Sequence, residues 1–187
     1  MDLFDFYAWA KAKIILEGYE QEIHIVESRE FKDMTPGKLF VEYVFVVVSS
    51  GMKNQVAQRI FNRFLKDGPG AIGHKGKRMA IEKAYEHFLE WHKELSALND
   101  INDILVFLKS LPWIGDITKY HLARNLGIDV AKPDRHMVRL AYAFNYPNVQ
   151  KMCEAVSLKT GDRVGVVDVV MWRYCNLHNN YLEEINV

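Results

Sequence analysis

The sequence has too few cysteines for a disulfide framework and no apolar run long enough for a membrane segment. Only Cys153 and Cys175 occur in 187 residues, which favours a reducing cytosol over a disulfide-bonded, secreted chain. Two thiols also exclude a four-cysteine iron–sulfur or zinc site built by this chain alone. The longest apolar run, Val44 to Val48, is far too short to cross a bilayer. We therefore expect a cytoplasmic chain with no metal centre and no membrane partner.

An excess of charge of one sign is also missing, because 24 Lys and Arg residues balance 24 Asp and Glu residues. A neutral chain argues at first against a nucleic-acid partner. The distribution is uneven, however, and one stretch is opposed only by Asp67 and Glu82. Its basic residues are Lys53, Arg59, Arg63, Lys66, Lys75, Lys77, Arg78 and Lys83. Such a segment suits DNA phosphates, and a solvated helix face explains it equally well.

Apolar residues, by contrast, are plentiful: they make up 49% of the chain and recur at helical spacing between short loops marked by Gly and Pro. This pattern predicts an all-α protein. The stretch over 40–50 (FVEYVFVVVSS) is rich in β-branched residues, which leaves a strand as a local alternative to helix. Helices are predicted over 2–17, after the breaker Thr35-Pro36-Gly37 through Ser50, over 55–65, 77–97 and 101–111, from near Asp116 to Asn125, after Pro133 and after Gly161.

Residues 108–141 contain the most informative motif. They consist of a helix, a tight turn from Pro112 to Gly115, a second helix, a loop, and Asp134 directly after Pro133. Two helices joined in this way point backbone N–H groups outward at a helix N-terminus, which binds a DNA phosphate without reading sequence. Gly115 is expected at positive φ, where a side chain would be strained. At the start of a helix, the carboxylate of Asp134 can remain ionised.

This motif resembles the hairpin and catalytic aspartate of the helix-hairpin-helix DNA glycosylase superfamily, which includes endonuclease III and the adenine-mismatch and alkyl-base glycosylases. The hairpin is Leu111-Pro112-Trp113-Ile114-Gly115, and residues 134–139 (DRHMVR) match the family's Asp-x-His-x-x-Arg element. Further segments resemble the family in the same order, so the resemblance spans about residues 40–176. These segments are 46–64 (a helix with a short polar loop near the flipped base), 72–84 (Gly-x-x-x-Lys-Ala) and 165–174 (the last core helix).

The resemblance implies an all-α, two-lobed helical fold with the active site in the cleft between the lobes. It implies a single glycosylase-like domain over residues 1–187. Within it, a continuous hairpin lobe would cover about 35–135, and the N-terminal segment with 134–187 would form the other lobe. The expected partner is double-stranded DNA with an extruded base. We expect a monomer that needs no cofactor, with a monovalent cation as the one ion that the hairpin could hold.

The resemblance also assigns roles to individual residues. Asp134 is the candidate catalytic carboxylate, which would stabilise the oxocarbenium-like state as the base leaves or activate water; a plain helix cap is the competing interpretation. His136 is expected to support Asp134, and Asp168 is either a buried hydrogen-bonded carboxylate or a pocket residue. The candidates for DNA contact are Trp113, Ile114, Gly115, Asp116, Thr118, Lys119, Lys53, Lys75 and Lys77. Those for the base pocket or wedge are Ser49, Ser50, Gly51, Met52 and Tyr120, and Arg139 joins His136 and Asp168 as supporting residues.

The sequence departs from the family pattern at three sites. Trp113 replaces the first glycine of the hairpin, and Ser50-Gly51 stands where many relatives carry glutamines that fill the vacated base stack. Ile117 stands where bifunctional relatives carry the lysine that forms a Schiff base. Lys119 lies about 200° further around the helix and faces elsewhere. We therefore expect hydrolysis of the N-glycosidic bond without strand cleavage.

Two other functions remain open from the sequence. The loop around residues 49–61 and the Trp113 hairpin also resemble family members encoded by bacterial viruses, which attach an amino acid or amine to an activated pyrimidine in DNA. In that case Asp134 would act at an extruded base. The third possibility is a non-catalytic DNA-binding module, which the intact Asp134 motif disfavours. The sequence does not identify the substrate base.

Overall fold

A computed structural model describes residues 1–185 of the protein, and every regular element in that range is helical. The eleven α-helices of this range are α1 (Leu3–Leu16), α2 (Glu20–Glu27), α3 (Pro36–Ser49), α4 (Asn54–Asp67), α5 (Lys75–Ser96), α6 (Ile101–Ser110), α7 (Thr118–Asn125), α8 (Arg135–Ala143), α9 (Val149–Thr160), α10 (Val164–Leu177) and α11 (Tyr181–Ile185). Two short 3-10 turns, Phe31–Asp33 and Gly68–Ala71, complete the regular structure. Over residues 1–185, no helix is both long and apolar enough to cross a membrane.

The chain divides into two compact units. One unit is continuous, from Glu30 to Leu126, and contains α3 to α7. The other combines Met1–Arg29 with the chain from Gly127 onward, and contains α1, α2 and α8 to α11.

Helix α3 forms the centre of the continuous unit, where it packs against α4, α5 and α7. The hydroxyl of Thr35 caps its first turn by accepting the Lys38 N–H, and Pro36 occupies a first-turn position that needs no N–H donor. Its valines at 44 and 46–48 are fully buried. The local alternative of a strand is therefore wrong: the cap, the proline and packing on several sides outweigh the β propensity of these valines.

Helix α10 forms the centre of the discontinuous unit. Eleven of its fourteen residues are buried, because it packs against α1, α2, α8 and α9. Arg173, on this helix, is buried too, and its guanidinium forms two hydrogen bonds with the carboxylate of Glu22 on α2. A charge removed from water needs such a partner.

The predicted helices are all present, with small shifts at their ends. Helix α7 begins at Thr118 instead of near Asp116. Sequence patterning missed α2, α9 and α11. Of these, α2 and α11 are eight and five residues long, too short for an apolar period to stand out.

Candidate functional site

Asp134 is the N-cap of helix α8. Its Oδ1 accepts the backbone N–H groups of His136 at 2.9 Å and Met137 at 3.1 Å. The second oxygen, Oδ2, takes part in neither bond, and within residues 1–185 the structure describes no ion pair of Asp134. The side chain is half-buried. One oxygen therefore holds the helix start and the other is available to a ligand.

The loop that precedes Asp134 is fixed by side chains from α9 and α10. Asp168 is 1% exposed, and its Oδ2 accepts the N–H of Lys132 at 3.1 Å. The Gln150 side chain accepts the N–H of Ala131, and the carbonyl of Lys132 accepts the N–H of Asp134 at 2.8 Å. Asp168 is thus a buried, hydrogen-bonded carboxylate that anchors the backbone leading to Asp134.

His136 lies in the first turn of α8 and packs edge-on against Tyr181 of α11. Arg135 Nε donates to His136 Nε2, and the other ring nitrogen, Nδ1, lies 3.1 Å from the Tyr181 hydroxyl. Burial lowers the pKa of His136, and the charge of Asp134 opposes this shift only in part. Because the Arg135 N–H donates to Nε2, the tautomer that fits both contacts carries its proton on Nδ1. Arg139, on the same helix, lowers the pKa of Tyr181 through a hydrogen bond, against the larger raising effect of burial.

Hydrogen bonds from within the hairpin and from Tyr43 hold the backbone of the hairpin between α6 and α7. The N–H of Ile114 donates to the Leu111 carbonyl at 3.1 Å, and the N–H of Gly115 donates to Thr118 Oγ1 at 2.7 Å. The buried hydroxyl of Tyr43 donates to the Pro112 carbonyl at 2.6 Å. The amides of Ile114 and Gly115 are therefore engaged within the hairpin, contrary to the expectation that they point outward toward a phosphate.

The amides that remain open at the hairpin belong to the start of α7. This helix has no side-chain cap. The hydrogen bonds described for residues 1–185 leave the amides of Asp116, Ile117 and Thr118 without an acceptor. Three N–H groups at a helix N-terminus form an anion-binding arrangement.

Positive φ in the hairpin occurs at Trp113 and not at Gly115. Trp113 has a φ of 65°, whereas the glycines with positive φ lie elsewhere in the chain. A Cβ added to Gly115 would meet only Thr118 Oγ1, at 3.9 Å. The expectation of a strained glycine at 115 is therefore wrong, and the left-handed residue is the one that replaces the family's first hairpin glycine. A side chain in this conformation costs roughly 1–2 kcal/mol.

The indole of Trp113 packs against two other segments of the continuous unit. Its Nε1 donates to Ser50 Oγ at 3.0 Å, and its ring lies 5.1 Å from that of His74 in an edge-to-face arrangement. A Cβ on Gly76 would come within 2.5 Å of indole Cζ3. Glycine at 76 therefore provides the space that the indole occupies. Trp113 is still 44% exposed.

The turn over Ser49–Met52 follows α3 and has a well-defined hydrogen-bond pattern. The hydroxyls of Ser49 and Ser50 donate back to the carbonyls of Val46 and Val47. Gly51 has a φ of 70° and no side chain. Met52 is exposed, so it is the side chain that this turn presents to solvent.

Lys77 was expected at a DNA phosphate, and the structure corrects this expectation. The side chain is 4% exposed, and its ammonium donates to the carbonyls of Val48 at 2.9 Å and Ser50 at 2.6 Å. Burial accordingly lowers the pKa of Lys77. Lys77 supports the Ser49–Met52 turn from inside the protein and does not offer its charge to solvent.

The other lysines expected to contact DNA differ in how far their charges are exposed to solvent. Lys53 and Lys75 are exposed. Lys119 lies 3.6 Å from Asp116 Oδ1, which also pairs with Lys109 at 2.7 Å. These lysines, Lys109 first, lower the pKa of Asp116. The Lys119 ammonium also lies 5.3 Å from the centre of the Tyr120 ring, so its charge interacts with both this ring and the Asp116 carboxylate.

Within residues 1–185, no three His, Cys, Asp or Glu side chains converge where they could hold a metal ion. The hairpin carbonyls of Leu111, Pro112 and Gly115 each accept a hydrogen bond from the protein. The monovalent cation at the hairpin stays a prediction.

Several residues that contact the hairpin or the helix capped by Asp134 were not predicted from the sequence. Tyr43, His74 and Gly76 contact the hairpin or its tryptophan, and Tyr181 contacts His136. Only His74 and Gly76 lie in a segment with a recognisable pattern, the glycine-containing loop over 72–76 (IGHKG). Tyr43 and Tyr181 gave no signal, because a buried tyrosine in an apolar pattern is indistinguishable from an ordinary core residue.

No family model matches this chain. No curated protein matches it either. Among solved structures, the chain is similar to the Methanocaldococcus jannaschii 8-oxoguanine glycosylase/lyase, crystallised in complex with a 15mer DNA containing 8-oxoguanine. The TM-score is 0.70 at 19% sequence identity, and the match covers 92% of this chain and 96% of the other. The likeness confirms the predicted all-helical fold of the helix-hairpin-helix glycosylase type.

Proposed function

We propose that this chain processes bases in DNA, as a monofunctional glycosylase that hydrolyses the N-glycosidic bond of a modified, extruded base. The observation that carries the proposal is the hydrogen bonding of Asp134: its Oδ1 makes both bonds that cap α8, and its Oδ2 makes neither and remains available. Because one oxygen alone makes both capping bonds, the capping interpretation and the catalytic interpretation of Asp134 are compatible. The similarity of the fold to that of a DNA glycosylase/lyase supports the same conclusion.

The chemistry requires a negative charge close to the sugar. As the bond between base and sugar breaks, positive charge develops at the anomeric carbon. A carboxylate held at a fixed position stabilises that charge without having to reorganise during the reaction. The anchoring of Lys132 by Asp168 and the two capping bonds hold the Asp134 carboxylate in this way. The same carboxylate can accept a proton from the attacking water.

DNA would be held through its backbone by the hairpin. The open amides at the start of α7 suit one phosphate. Lys53 and Lys75 are exposed and can each neutralise another. Met52 is the candidate wedge, because Met is among the apolar side chains that enter base stacks and it projects from the Ser49–Met52 turn.

The reaction would stop at base removal. A lyase step needs an amine that attacks the anomeric carbon, and Ile117 occupies the hairpin position where bifunctional relatives carry this lysine. Hydrolysis then leaves an abasic site in an intact strand.

The test is a panel of duplex oligonucleotides with alkylated, oxidised, deaminated or phosphorylated hydroxymethyl bases, incubated with the whole chain and read by mass spectrometry. We expect one member of the panel to lose its base and leave an abasic strand. An Asp134→Asn protein processed in parallel should leave the panel unchanged. A base that gains mass instead of leaving would replace the glycosylase by a DNA-modifying transferase. Binding without any change of mass would favour a non-catalytic DNA-binding module.

A further inference from the structure

The side chain of Trp113 joins three segments that are distant in sequence. It belongs to the hairpin, bonds to Ser50 in the turn after α3, and packs on His74 and Gly76 at the start of α5. We call Trp113, Ser50, His74 and Gly76 the Trp113 latch. All four residues lie in the continuous unit.

The backbone conformation indicates that this position is occupied for its side chain. At a φ of 65° glycine would be the residue of lowest conformational cost. A bulky residue persists there only where its surroundings hold it, and such sites cluster at functional positions. The hydrogen bond to Ser50 and the space left by Gly76 are those surroundings.

Ser50 is held by three bonds to different parts of the unit. Its hydroxyl donates to Val47 and accepts from Trp113, and its carbonyl accepts from the buried ammonium of Lys77. The neighbouring Met52 side chain is exposed. The latch therefore fixes the base of the turn while leaving its tip open to a ligand.

We propose that Trp113 is a positioning residue that fixes the Ser49–Met52 turn to the hairpin. A hairpin seated on a DNA phosphate then holds Met52 at a set position against the bases. The inference rests on the proposed function and deepens it, because it names the residue that couples the backbone contact to the base contact.

The experiment removes the latch hydrogen bond from either end and compares two DNA affinities. The variants are Trp113→Phe, Ser50→Ala and the double variant. Each is titrated with undamaged duplex and with the same duplex containing a tetrahydrofuran abasic analogue. Trp9→Phe is the matched control, because Trp9 is also 44% exposed and its Nε1 also donates to a hydroxyl at 3.0 Å, that of Tyr174 in the other unit.

We expect each single variant to lower the preference for abasic over undamaged duplex by about two- to tenfold, the range for one hydrogen bond. The preference is the ratio of the two affinities, so a change in the phosphate contact that affects both duplexes equally leaves it unaltered. The double variant should lose no more than the single variants, because all three remove the same bond. Deuterium uptake over residues 46–54 without DNA should rise in these variants and stay unchanged in Trp9→Phe.

Gly76→Ala tests the latch without altering either partner of the hydrogen bond. Its methyl group would occupy the position of the indole edge, so Trp113 must move away. We expect the same loss of preference, and no further loss when Gly76→Ala is added to Trp113→Gly.

Two outcomes would count against different claims. An unchanged preference in Trp113→Phe and Ser50→Ala, or losses that add in the double variant, would overturn the latch, while binding by the wild type would leave the proposed interaction with DNA intact. Wild-type protein that binds neither duplex would overturn the proposed function, and the deuterium uptake would still report on the contact between Trp113 and Ser50.

Discussion

Asp134 caps helix α8 with the same pair of hydrogen bonds that Asp100 uses to cap helix α6. In both, Oδ1 alone accepts the N–H groups two and three residues ahead. The distances are 2.9 and 3.1 Å for Asp134 and 2.8 and 3.1 Å for Asp100. The two aspartates are therefore structurally equivalent caps, and a difference between them in a functional assay would arise from something other than capping.

Asp134→Asn should abolish base removal and leave the fold intact. Asparagine caps helices as well as aspartate does, so the free energy of unfolding should change little. The lost charge should lower the single-turnover rate by about 100-fold or more. The rate is measured on the substrate that the oligonucleotide panel identifies, and stability by urea unfolding.

Asp100→Asn is the control for this experiment, and it should retain the wild-type rate. Equal rates in wild type and Asp134→Asn would show that Asp134 is a cap only. An Asp134→Asn protein that unfolds while Asp100→Asn does not would contradict the prediction that asparagine preserves the cap, and would favour the capping interpretation of Asp134.

Lys75 and Lys77 are two residues apart, but substitutions at the two positions should have different effects. Loss of Lys75 should weaken DNA binding, and loss of Lys77 should lower stability. Lys75 is exposed, so Lys75→Ala should weaken binding to all duplexes and lower the slope of log affinity against log salt by about 0.9. Lys77→Met removes the buried ammonium from the carbonyls of Val48 and Ser50. It should lower the free energy of unfolding by about 1–3 kcal/mol. A Lys77→Met protein of wild-type stability with a reduced salt slope would restore the original expectation of a phosphate contact.

The comparison of these two lysines shows what sequence could and could not predict. The helices follow from local signals, namely apolar residues at helical spacing and the Gly and Pro residues that separate them, and these signals act over a few residues. Which of two nearby lysines is buried depends on the end of α3 meeting the start of α5, about thirty residues away in sequence.

The backbone conformation of the hairpin was also not predictable from the sequence alone. The motif located the turn correctly, but it assigned positive φ to Gly115 because glycine usually takes that role. Trp113 takes it here, held by a hydrogen bond to a residue 63 positions away. The hydrogen bond from the Ile114 N–H to the Leu111 carbonyl closes a β-turn with Trp113 at its third position, where positive φ favours glycine. What the local sequence does not show is the tertiary contact that holds a tryptophan in this conformation.

The pKa of His136 predicts how stability depends on pH. Burial lowers this pKa in the folded protein, so between the folded pKa and about 6.5 the unfolded chain binds a proton that the folded chain does not. The contribution of His136 is therefore complete above pH 6.5 and is lost as pH falls through this window.

Urea unfolding at pH 7.5 and 5.5 tests this sign in wild type and His136→Asn. The asparagine amide can donate to the Tyr181 hydroxyl in place of Nδ1, which keeps the main contact. We expect the wild type to lose more stability between the two pH values than the variant does. A smaller loss in wild type would mean that the charge of Asp134 outweighs burial and raises the pKa.

The final prediction is that turnover forms no covalent bond between protein and DNA. Ile117, the N-cap of α7, is 42% exposed at the position where a Schiff-base lysine would lie. The nearest lysine in sequence, Lys119, interacts with Asp116 and the Tyr120 ring. Borohydride present during turnover should therefore trap no adduct. In a parallel reaction without borohydride, the product strand should stay whole until alkali cleaves the abasic site.

Ile117→Lys supplies the missing amine and turns this prediction into a gain of function. If the start of α7 approaches the sugar as the resemblance implies, the new lysine should attack the anomeric carbon and give an adduct that borohydride traps. The substituted side chain is exposed in the wild type, so the fold should tolerate the change. Lys119→Ala is the matched control and should behave as wild type in trapping. A wild-type adduct that disappears in Lys119→Ala would show that Lys119 reaches the sugar and that the enzyme is bifunctional.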